Sequence, residues 1–225
     1  MFNKTTLAVS AIAMLSMTGS ALAADLYVAP EVPEVVEAVS GDWDGIYIGA
    51  FGGIGSGLAD HVSGPATNDI DLSGTILGVT GGANFYLSDV IIGGLAVDFA
   101  WTNMTGTYTG GLTSTHTIDS QGAVRGVLGY DGGNIMPYVT GGIAFATATR
   151  TSTWGGPNNT ATATHTGYTL GGGAQIKVSE NLALDVQYRY TDLGEQVYEW
   201  SGGGTDPTIH LTDHTVTAGF NFFID

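Results

Sequence analysis

Leu182-Ala-Leu-Asp-Val-Gln-Tyr-Arg-Tyr-Thr-Asp-Leu-Gly194 separates cleanly into two sets when every second residue is taken. Leu184, Val186, Tyr188 and Tyr190 make one set; Asp185, Gln187, Arg189 and Thr191 make the other. Period-2 alternation of this kind is a β-strand with one apolar and one polar face. Two solvents are compatible with it. A soluble sheet turns the apolar face into a core, whereas a transmembrane barrel turns it out to lipid and keeps the polar face in the lumen.

The amino terminus bears on that choice. Lys4 precedes an apolar run over Leu7–Met17, and Ala21-Leu22-Ala23 follows, the three-part pattern of a cleaved export signal covering residues 1–23. Residues 24–41 carry Pro30, Pro33, Glu31, Glu34 and Glu37 and read as an extended periplasmic arm, leaving 42–225 as one β domain. No later segment is apolar enough for long enough to span a bilayer as a helix. The 225 residues contain no cysteine, so an exported fold must be held by packing and hydrogen-bond closure.

The formal charge is −16, which argues against a nucleic-acid partner. Beyond Lys4 the strong cations are Arg125, Arg150, Lys177 and Arg189, and none lies in a basic tail. The 36 glycines have no triplet period and recur inside strand-like runs, where they let a tightly curved sheet close and its narrow interior fill.

Seven companions to the opening stretch follow from the same alternation. Strands are expected over 42–53, 72–87, 90–102, 117–130, 135–149, 167–178, 182–194 and 210–224. In the first, both faces are fairly apolar, and Ile46, Ile48 and Ile54 are assigned outward. Ser88-Asp89, Asp131-Gly132-Gly133-Asn134 and Ser179-Glu180-Asn181 are tight turns; the other connections are long, polar and rich in Gly, Thr and Asn. An even strand count with short turns at one end and long loops at the other points to an all-β, eight-stranded antiparallel up-and-down transmembrane barrel with short periplasmic turns and four long external loops.

At this point the motifs resemble a known family. Asp42-Trp43-Asp44-Gly45-Ile46-Tyr47-Ile48-Gly49 is similar to the W-x-G-x-Y-x-G start of the small alphaproteobacterial outer-membrane β-barrel proteins. These are the 25- and 31-kilodalton surface antigens and their rhizobial relatives, porin-like and related to the transmembrane domain of outer membrane protein A. Pro137–Gly142, Tyr188–Gly194 and His214-Thr215-Val216 carry further likeness, and together the motifs span nearly all of the mature chain. One departure is at the close, where Ile224-Asp225 follows the last aromatic. The resemblance implies a Gram-negative outer-membrane location, contact with outer-membrane lipid and lipopolysaccharide, and the barrel-assembly machinery as a partner during biogenesis.

Parity turns Asp98, Arg125, Lys177, Asp185 and Arg189 into the lumen, where they are expected to form a structural ion-pair network. An eight-stranded barrel is filled by side chains, so an envelope-integrity and surface-exposure role is expected. The alternatives are a narrow porin-like channel and a surface receptor for haem, metal or a host ligand. His61, His116, His165, His210 and His214 are read as surface residues of the external connections, and they would be that receptor's ligands. Ser114 and His116 lie near one rim without an evident acid to complete a triad, so no catalytic, cofactor or metal site is expected.

Overall fold

A computed structural model describes residues 42–61, 69–109, 113–153, 159–198 and 208–224. The expected export signal and periplasmic arm lie outside them. The strands are β1 (Gly45–His61), β2 (Ile70–Ser88), β3 (Ile91–Thr109), β4 (Thr113–Tyr130), β5 (Ile135–Thr153), β6 (Asn159–Lys177), β7 (Leu182–Val197) and β8 (Thr208–Ile224). Each pairs antiparallel with its neighbours in sequence, and β1 pairs with β8 from Ile46↔Ile224 to His61↔Ile209, so the ring is closed. Closure pairs the edges that an open sheet would leave bare, which is the condition for crossing a membrane with strands.

The outward face is apolar all round. Ile46, Ile48, Leu77, Leu95, Val97, Val124, Val139, Ile143, Leu170, Val186 and Phe220 are each 44–65% exposed. So continuous an apolar surface on a folded chain is a lipid-facing band. Ile54 is 65% exposed, and Tyr47 and Trp43 are buried, which resolves the ambiguous first strand in favour of isoleucines outward and aromatics inward. Replacing Val97, in the middle of the band, by arginine should lower stability by about 2–4 kcal/mol in bilayers. Urea-unfolding midpoints in phosphatidylcholine vesicles would check this.

The strands are longer than their alternation suggested, and the extra length lies at the end opposite the tight turns. β1 runs to His61 rather than stopping at Gly53, β3 to Thr109, and β6 begins at Asn159. Much of the expected external connections is therefore strand that continues past the band. Its Thr-x-Thr runs satisfy the pleat as well as an apolar alternation does, because β-branched side chains fit a half-exposed strand in either solvent.

Two of the register shifts reverse the parity of this extension. The β4–β5 register shifts between Ile118 and Ser120, so inward positions change from Ser114, His116 and Ile118 to Gln121, Ala123 and Arg125. In β7 the shift falls between Asp192 and Glu195. There Gly194 takes φ +65° and its N–H donates to Asp192 Oδ1 at 2.9 Å. The consequence is that both Leu193 and Tyr198 point inside.

Candidate functional site in the barrel lumen

The lumen is built in layers. Near the tight turns Trp43, Tyr47, Ile92, Met136, Tyr138, Ala183 and Phe223 pack together. Trp43 Nε1 donates to the Gly133 carbonyl at 2.9 Å, tying the chain before β1 to the β4–β5 turn. Lys177 belongs to this layer: its Nζ lies 4.0 Å from the centre of the Phe223 ring and 5.1 Å from that of Trp43, and donates to the Glu180 carbonyl at 3.0 Å.

A polar layer follows. Asp98 on β3 accepts from two arginines, Arg125 Nε on β4 at 2.8 Å and Arg189 Nη1 on β7 at 3.0 Å. The three side chains are at most 7% exposed. Arg125 also donates to Thr140 Oγ1 at 3.3 Å. Asp185 takes its hydrogen bond from Tyr138 Oη at 2.8 Å, and Tyr138 accepts in turn from Gln187 Nε2 at 2.8 Å. Asp213 accepts from Gln121 Nε2 at 2.7 Å. Of the five charges expected to meet, the geometry joins Asp98, Arg125 and Arg189 directly. It places Asp185 in the same layer on a tyrosine, and Lys177 one layer lower on aromatic rings. Tyr138, Gln121 and Asp213 are not among the charges expected to meet, although inward parity on β5, β4 and β8 places all three in the lumen.

Outward of this layer the interior becomes apolar again, with Ile70, Leu72, Met104, Ile118, Leu193, Ile209 and Leu211 in contact. A last polar cluster lies beyond it. Arg150 Nε donates to Ser114 Oγ at 3.1 Å, and Ser114 Oγ is 3.4 Å from His116 Nε2. Tyr198 Oη is 2.9 Å from His165 Nε2. Burial pushes the Tyr198 hydroxyl up to about 12, so it meets His165 as a neutral phenol. His116 and His165 are 3% and 0% exposed. The expectation that they are surface loop residues is therefore corrected: both sit on strand extensions whose parity turns them inside. The side chain of His61 lies outside the described residues.

Among the polar groups lies a cavity of about 30 Å3 lined in part by Tyr47, Arg125, Tyr138, Asp185 and Arg189. That holds water and nothing larger.

A sequence profile of the outer membrane protein beta-barrel domain matches residues 9–222. The chain is 30% identical to the 31 kDa outer-membrane immunogenic protein of Brucella melitensis, over 90% of this chain and 93% of that one. It is 29% identical to the 25 kDa outer-membrane immunogenic protein of the same organism, over 96% and 97%. With the 22 kDa outer membrane protein of Rhizobium leguminosarum the identity is 26%, over 73% and 71%.

Proposed function

The chain belongs to the outer membrane protein beta-barrel domain family and resides in the bacterial outer membrane, and from that premise we propose that it serves the envelope as a sealed structural barrel that displays its outer end at the surface. The observation that carries this reading is the filled lumen. Two apolar layers enclose a polar one whose arginines are both bound to Asp98, and the cavity between them is about 30 Å3. A hydrated solute would have to break buried ion pairs to pass.

A non-enzymatic role fits the outer cluster. Ser114 Oγ accepts from the Arg150 guanidinium, and its 3.4 Å separation from His116 Nε2 is long for proton transfer. Burial of His116 and His165 likewise removes two of the five histidines from any surface receptor site. The test is electrical. The purified chain in planar phosphatidylcholine bilayers is expected to show no unitary conductance steps; reproducible steps in the wild type would overturn the sealed-barrel reading.

A further inference from the structure

Beyond the apolar band the outer wall of the barrel has two unlike halves. The outward positions of β7, β8, β1 and β2 carry Asp192, His210, His214, Asp60 and Asp71. On β3–β6 they form a grid of threonines. The registers set Thr105, Thr117, Thr149 and Thr162 side by side across four strands, and Thr107, Thr115, Thr151 and Thr160 side by side in the next row out. Rows and columns repeat at about 6.8 and 4.8 Å by strand geometry. Neighbouring hydroxyls approach to 3.1 Å between Thr105 and Thr117 and between Thr107 and Thr115, and to 3.2 Å between Thr149 and Thr162. Among the described residues of this wall, Asp119 is the one outward charge, and it accepts from Thr149 at 2.7 Å.

Below the grid the lipid face has a hollow of about 260 Å3 among Val97, Phe99, Val124 and Phe145, which reaches Thr147 and Thr164 at its upper edge. A second, of about 510 Å3 among Leu128, Val139 and Leu170, lies further along the strands toward the tight turns.

We propose that the β3–β6 wall is a docking site for a neutral glycolipid of the outer leaflet, with acyl chains entering the upper hollow and sugar hydroxyls on the threonine grid. This deepens the structural reading above and rests on it. The hollows belong to the band that lies in lipid, so their occupant has acyl chains. The grid begins one outward position above Phe145, at Thr147, so the same molecule places its head group against the threonines. Each threonine offers one hydroxyl donor, two acceptor lone pairs and a methyl group, which match the hydroxyls and C–H faces of a sugar. Among its described residues the wall has no outward cation to meet a phosphate, and Asp119 opposes one. The head group selected is therefore a neutral saccharide and not a phosphate.

The test uses the full chain in phosphatidylcholine vesicles doped with digalactosyldiacylglycerol or with phosphatidylglycerol, followed by detergent extraction and measurement of retained lipid. Wild type should retain digalactosyldiacylglycerol over phosphatidylglycerol. The shape-preserving Thr115→Val/Thr117→Val/Thr149→Val/Thr151→Val variant should lose that retention by about fivefold or more, the equivalent of one neutral hydrogen bond. Its folding is checked by heat-modifiable gel mobility in phosphatidylcholine alone, and Thr107→Val/Thr160→Val, which alters only the outer row, serves if the larger variant does not fold. Equal retention of the two lipids by wild type, or unchanged retention by a folded variant, overturns the proposal. So does a predominant disulfide-linked dimer of Thr149→Cys in digalactosyldiacylglycerol vesicles, which would assign the wall to a second copy. Conductance leaves these readouts untouched, so failure of the sealed-barrel reading is distinguishable from failure of this one.

Discussion

Asp98→Ala should destabilise the barrel by about 3–5 kcal/mol, the cost of leaving buried charges without their counter-ion. One carboxylate holds Arg125 at 2.8 Å and Arg189 at 3.0 Å, and its own side chain is 2% exposed. Without it two guanidiniums from opposite parts of the ring share a narrow, poorly hydrated layer, and neither can lose its proton. Asp185 is already engaged by the Tyr138 hydroxyl. The measurement is the urea midpoint for loss of heat-modifiable mobility in vesicles. The complementary variant is informative: Asp98→Leu/Arg125→Met/Arg189→Met removes all three charges together and should recover most of the loss, since replacing a whole buried ionic group by apolar residues of similar volume is close to neutral. If the single and triple variants are equally unstable, the triad is not the source of the effect.

Gly142→Val should cost about 3 kcal/mol or more, at the upper end of what overpacking does. Gly142 points into the lumen opposite Arg125, and a Cβ there would overlap the Val124 carbonyl oxygen and approach Arg125 Cα to 2.7 Å. Both obstacles are backbone, so no side chain can swing away; β4 and β5 would have to part where Arg125 reaches Asp98. Gly126 is the control. It faces outward on the same strand pair, with its nearest obstacle, the Gly141 carbonyl oxygen, 3.9 Å from a built Cβ. Gly126→Ala should stay within about 0.5 kcal/mol of wild type. Comparing the two midpoints separates the effect of interior space from a general intolerance of the sheet to losing glycine.

Much of this architecture is written in residue order. The alternation of Leu182–Gly194 assigns Leu184, Val186, Tyr188 and Tyr190 to one face and Asp185, Gln187 and Arg189 to the other, and the same parity puts Asp98, Arg125 and Lys177 inside. Short turn-forming segments at alternate connections count the strands and fix their antiparallel order. These are local properties: side chains alternate because of the pleat, and turns form where glycine and short polar side chains allow the backbone to reverse.

Which inward residues meet is decided elsewhere. Asp98 finds Arg125 on the neighbouring strand but also Arg189, 91 residues away across the lumen. Asp185 ends on Tyr138, and Lys177 on the rings of Trp43 and Phe223. Such partnerships depend on the stagger between strands around the whole closed ring, and no single strand carries that information. The bulges near Asp119 and Gly194 add a second tertiary effect. Each sets two residues against one, and so reverses parity for everything beyond it. That reversal brings Tyr198 inside, against His165, and gives the threonines of β4 and β5 a common outer wall. Sequence alone thus determined the eight strands and the facing of their apolar sides. The closed ring, through its stagger and its bulges, decided which charges pair, which side chains fill the lumen, and which side of the barrel carries the threonine hydroxyls.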